Sequence, residues 1–85
     1  MKVKVLYFAS VREKVGKDAE ELDVPAGVAT VAALCSHLRS CGANYQNAFS
    51  EKTLLRAAVN QDMVQPSARI KAGDEVAFFP PVTSG

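Results

Sequence analysis

Apolar and polar residues alternate from the start of the chain, with Val3, Val5 and Tyr7 interleaved among Lys2, Lys4, Leu6 and Phe8. A period of two is what a strand shows when one of its faces is buried, so a strand is predicted over residues 2–8. "SVRE" at 10–13 offers a capping box, with Ser10 as N-cap and Glu13 reaching back to it, and Gly16 is placed to stop a short helix. "AEELDV" at 19–24 reads as a second strand and "PAG" at 25–27 as a turn. After Thr30, a candidate N-cap, the spacing changes: Val31, Leu34, Cys35, Leu38 and Cys41 recur at helical intervals, and Gly42 sits where a C-cap glycine belongs. Residues 43–53, "ANYQNAFSEKT", are polar and irregular and read as a loop holding a short helical turn. "LLRAAVN" at 54–60 predicts a third strand, "QD" a tight turn and "MVQ" a brief return. "KAGDE" is again a turn, leading into "EVAFF" at 75–79 as the last strand.

One substantial helix among several strands predicts an α+β fold, a mixed sheet with that helix packed on one face. The opposite face is then partly open. Parity identifies its residues: Lys2 and Lys4 mark the solvent side of the first strand, which Leu6 and Phe8 share. Glu75 marks it in the last strand, and Phe79 shares it. Neighbouring first and last strands running the same way would bring Phe8 and Phe79 together, with Met63 able to join them. Such an apolar patch is a candidate partner interface.

Composition narrows the function classes. The chain has 85 residues, enough for a single core, and its 48% hydrophobic and 22% charged residues are the mix of a folded domain. Ten basic and nine acidic residues are scattered without blocks and give a net charge of +1, so neither nucleic acid nor an anionic membrane is an expected partner. No apolar run approaches the ~20 residues of a membrane span, and "MKVKVLYFAS" lacks the apolar core of a signal peptide, so a cytoplasmic location is expected. Cys35 and Cys41 on one helix would lie ~9 Å apart, too far for a disulfide. Two thiols are therefore expected, with Cys35 in the core, His37 on the helix surface, and no metal site.

The chain ends on "AFFPPVTSG". Pro80 and Pro81 donate no ladder hydrogen bonds, so the sheet stops there and the chain stays extended. Val82, Thr83, Ser84 and Gly85 follow with decreasing bulk, dividing the sequence into a domain at 1–79 and a tail at 80–85. A stiff base with a narrow tip suits a chain end that threads into another protein's active site. Terminal glycine leaves its carboxylate without a neighbouring Cβ, open to close approach.

"KVLYFASVRE", "AAVNQDMV" and "GDEVAFFPPVTSG" together resemble the small, sulfur-carrier subunit of molybdopterin synthase, a family with the ubiquitin-like β-grasp fold. The resemblance runs from Lys2 to Gly85. It implies that an ATP-dependent adenylating enzyme, similar to ubiquitin-activating enzymes, acts on the Gly85 carboxylate. Sulfur from a persulfide donor then gives a thiocarboxylate. The loaded tail enters the large catalytic subunit and delivers sulfur to cyclic pyranopterin monophosphate, commonly within a heterotetramer. On this reading the chain alone is non-catalytic and holds no bound cofactor; ATP is used by the activating enzyme. One departure stands out, because the family typically ends in Gly-Gly and this chain has Ser84 before Gly85. Two other readings remain: a carrier for thiamine or transfer-RNA thiolation, and a ubiquitin-like binding module whose tail is never activated. Two cysteines are too few for the iron–sulfur cluster of a β-grasp ferredoxin.

Overall fold

The computed structural model describes residues 1–50 and 55–81. The elements follow in the order β1 (Lys2–Tyr7), α1 (Ala9–Val15), β2 (Ala19–Asp23), α2 (Val31–Arg39), α3 (Ala43–Ala48), β3 (Arg56–Val59), β4 (Asp62–Val64) and β5 (Glu75–Phe79). The strands form one sheet in the order β2-β1-β5-β3-β4. β1 and β5 pair in parallel at its centre, and the other neighbours are antiparallel. Antiparallel neighbours can be joined by short turns, whereas the central parallel pair encloses the helical segments between the first and last strands. This mixed sheet with helices packed against it is the ubiquitin-like β-grasp.

Alternation in the two central strands decides which face is closed. Val3, Val5 and Tyr7 of β1 and Val76 and Phe78 of β5 are buried. Val11 and Val15 of α1, Val31, Leu34 and Leu38 of α2, and Tyr45 and Ala48 of α3 join them in one cluster. The one substantial helix expected is thus the longest of the three among the described residues, and α1 and α3, where a short helix and a helical turn were expected, complete the cover. Cys35 is half-buried against this core, Cys41 is exposed, and both are free thiols. His37 is on α2, as expected, but half-buried.

Several local expectations are corrected. The capping box does not form: Phe8 is the N-cap of α1, no side chain caps the helix, and Ser10 lies within its first turn. β1 correspondingly ends at Tyr7, one residue early, because Ala9 turns the chain through φ 52°. Gly16 closes α1 as predicted, in the left-handed region at φ 86° with its N–H on the Arg12 carbonyl. Thr30 caps α2, its Oγ1 accepting from the Ala33 N–H at 3.1 Å. That helix stops at Arg39, before Cys41, because Ser40 N–H and Cys41 N–H bond back to His37 and Leu38 and tighten the last turn. Gly42 is therefore not its C-cap but the N-cap of α3, in extended backbone.

The third strand is shorter than the predicted 54–60, and Leu54 lies outside the described residues. The β3–β4 turn is built on Asn60 and Gln61, at φ 50° and 73°, rather than on Gln61 and Asp62. Two successive positive φ values match the twist of a tight hairpin, and asparagine tolerates them well. Asn60 is also tied to β5, its side chain donating to Asp74 and accepting from the Glu75 N–H, both at 3.1 Å. Among the described residues no helix is long and apolar enough to cross a membrane.

Candidate functional site

The parallel register of β1 and β5 sets Tyr7 opposite Phe78, so both strands finish at the same level of the sheet. Phe8 N–H extends the ladder by one bond, to the Phe78 carbonyl at 3.1 Å. Phe8 and Phe79 therefore emerge side by side on the uncovered face, with ring centroids 6.4 Å apart in an edge-to-face arrangement. Phe8 is 46% exposed.

Met63 shares that face on β4, with β3 between it and the strand of Phe79. Leu6 pairs with Ala77, Ala77 with Ala58, and Ala58 with Met63, a row that crosses the sheet from β1 to β4. Met63, 55% exposed, sits at the far end of this row. Small alanine side chains separate it from Leu6, and β3, whose Arg56 is paired with Phe79, lies between β4 and β5. Leu6 has the parity expected from sequence, whereas Ala58 and Ala77 were not singled out, although theirs matches Phe8 and Phe79. The other end of the face is charged, with Lys4 set between Glu21 and Glu75.

Pro80 and Pro81 follow β5 directly, outside the strand, half-buried and exposed in turn. Val82, Thr83, Ser84 and Gly85 lie outside the described residues.

Beneath this end of the sheet is a cluster that sequence reasoning missed. Glu20 Oε2 accepts from the Tyr7 hydroxyl at 2.7 Å and from the Tyr45 hydroxyl at 2.6 Å. Its Oε1 accepts from Lys17 Nζ at 3.1 Å, and Lys17 also donates to the Tyr45 oxygen at 3.1 Å. The Glu20 side chain is only 15% exposed. Burial alone would raise its carboxyl pKa, but hydrogen bonds from Tyr45, Tyr7 and Lys17 outweigh that and hold it below the ordinary glutamate value. Burial, followed by the bond to Glu20, holds both Tyr7 and Tyr45 above the usual phenol range. The available signal was Glu20 itself, which shares inward parity with Leu22 beside the buried tyrosine of β1.

Burial pushes the Cys35 thiol up to about 11, which keeps it protonated and weakly nucleophilic at neutral pH. No group of metal-ligating side chains occurs among the described residues. A mostly apolar cavity of about 60 Å³ beside Cys35, lined also by Val31, Leu55 and Phe78, has no charged side chain in its lining. The geometry places an exposed aromatic pair beside the end of β5, where Pro80 and Pro81 begin.

The family model described as the ThiS family matches residues 5–85. The molybdopterin synthase sulfur carrier subunit of Escherichia coli (strain K12) is 49% identical over 83 residues, covering 98% of this chain and 99% of the relative. Its namesake in Haemophilus influenzae is 43% identical over 81 residues, covering 95% and 96%. The crystal structure of SAMP1 from Haloferax volcanii superposes with a TM-score of 0.75 at 24% identity over the whole of both chains, a likeness of fold. The chain belongs to the ThiS family.

Proposed function

We propose that this protein is a sulfur carrier for molybdopterin synthesis, with the Gly85 carboxylate as the carrying group. The observation that carries this reading is the near full-length similarity to two relatives that bear the name of that carrier. The site geometry is compatible with it: β5 ends at Phe79, two prolines follow, and an apolar strip lies alongside.

An unactivated carboxylate resists attack by sulfur because its leaving group would be oxide. Joined to AMP as a mixed anhydride, the same carbonyl has a good leaving group. An adenylating enzyme consuming ATP makes that anhydride; the outer sulfur of a persulfide displaces AMP to form an acyl disulfide, and a donor thiol then cleaves its S–S bond, leaving a thiocarboxylate on Gly85 and a disulfide on the donor. The chain supplies no acid or base to these steps. Its contribution is reach and presentation, with catalytic groups belonging to its partners.

The relatives are named as subunits, which supports a second, larger catalytic subunit as the partner that takes the loaded tail. Phe8 and Phe79 are the anchors of that contact, and Met63 lies at its margin. Inside the partner, sulfur passes to cyclic pyranopterin monophosphate and the carboxylate returns. Ser84 narrows the tail less than glycine would, and a left-handed backbone there would cost roughly 1 kcal/mol.

Removing Gly85 tests the reading. The shortened chain is expected to keep its fold by circular dichroism and to support no conversion of cyclic pyranopterin monophosphate with the large subunit, the activating enzyme, ATP and a sulfur donor. Normal conversion by the shortened chain would overturn it.

A further inference from the structure

The docking end of the sheet is made of two layers, and only the outer one faces a partner. In the inner layer Tyr7 is fixed by its hydroxyl on Glu20 and by edge-on rings on both sides, Tyr45 at 6.4 Å and Phe49 at 6.2 Å. Phe49 in turn meets Phe78 at 5.0 Å and 85°. These rings lie directly before the outer pair in sequence: Tyr7 precedes Phe8, and Phe78 precedes Phe79.

The connection between layers is tight. Tyr7 N–H donates to the Asp18 carbonyl at 2.8 Å, and Phe8 N–H to the Phe78 carbonyl at 3.1 Å. Immediately afterwards Ala9 occupies the left-handed region at φ 52°, a conformation that a non-glycine residue keeps only when its surroundings hold it there. Phe8 is thus held between an anchored tyrosine and a strained turn. It has no cover of its own on the open face, so its ring position depends on the backbone beneath it.

We infer that Glu20 is a positioning residue for docking: by holding the Tyr7 and Tyr45 hydroxyls on one oxygen, it sets the backbone at the end of β1 and so the placement of Phe8 against Phe79. Lys17 neutralises the carboxylate from the solvent side and gives its second oxygen a partner. The Glu20 side chain lies on the helix side of the sheet, and the cluster acts through Phe8. This inference rests on the proposed function for the identity of the partner, but its geometric content concerns the free chain.

Tyr7→Phe removes one hydroxyl and leaves Glu20 with Tyr45 and Lys17 as donors, so no buried acceptor is orphaned. Glu20→Gln is the second variant. Affinity for the large synthase subunit is measured for Tyr7→Phe in the natural background and in Phe8→Ala, and ring-to-ring contact between Phe8 and Phe79 is read by NMR in the free proteins. Expected are a three- to tenfold weakening in the natural background, about the effect of one hydrogen bond, and none beyond error in Phe8→Ala. The Phe8–Phe79 cross-peaks should weaken in both single variants. Equal weakening in both backgrounds, or unaltered affinity with unaltered cross-peaks, overturns the inference. Absence of any binding by the unaltered chain defeats the partner assignment instead; the cross-peaks then decide alone, their persistence in both variants overturning the positioning role and their loss upholding it.

Discussion

The two faces of one sheet are built on opposite rules. On the helix side, residues of odd number in β1 and even number in β5 meet three helices, and nearly every large side chain is buried. On the other side, the alternate residues of the same strands lie outside the buried cluster, and the face grades from charged at Lys4 and Glu75 to apolar at Phe8 and Phe79. Burying apolar area stabilises the fold at roughly 25 cal/mol per Å², so the covered face is where stability resides. The uncovered face contributes little to that total. Its apolar residues are concentrated at the end from which the tail leaves, where a partner could cover them. One strand period thus assigns the core to one side and, on the proposed function, recognition to the other.

That division makes opposed predictions for neighbouring residues. Phe78→Ala should remove about 3–5 kcal/mol of stability, most of what a small domain possesses, and urea unfolding would show it. Phe79→Asp, one residue further on, should leave the urea midpoint within about 1 kcal/mol of the natural protein while weakening the large-subunit complex by about 2 kcal/mol or more. Collapse of the isolated fold in Phe79→Asp would break the comparison, since it would put that side chain on the wrong face.

Acid sharpens it further. Glu20 has a folded pKa below its ordinary value of 4.5, so the stability it provides is present above that value and is lost as pH falls through the folded pKa. Acid unfolding of the natural chain should include this loss, and Glu20→Gln should flatten the curve below pH 4.5. The expected difference is about 1–3 kcal/mol, the scale of hydrogen bonds to a charged group. Ala9→Gly is the smallest case, relieving the left-handed alanine for a gain of up to about 1 kcal/mol in thermal unfolding.

Much of this was legible in the chain. Alternation in residues 2–8 and 75–79 gave the central strands, their faces and the meeting of Phe8 with Phe79, because a strand buried on one side leaves a period of two. Thr30 and Gly16 signalled helix ends because capping is local chemistry. The failures were tertiary. Ser10 matched a capping box, but the chain turns earlier, at Ala9, where pairing with β5 fixes Phe8. Gly42 looked like the end of one helix and begins another, since residues 40 and 41 close α2 through backbone bonds. Glu20 was passed over because charge ordinarily means solvent, and only the packed tyrosines reveal where its carboxylate is held. Met63 shares the parity, but strand order sets β3 between it and Phe79, which parity alone does not decide.

The central claim is that the terminus of this chain carries sulfur. Intact mass after incubation with the activating enzyme, ATP and a persulfide donor tests it most directly. The account predicts replacement of one oxygen by sulfur, mapped by fragmentation to Gly85, with Ser84 tolerated. An unchanged mass in both the natural chain and Ser84→Gly would contradict it and leave a binding module whose tail is never activated.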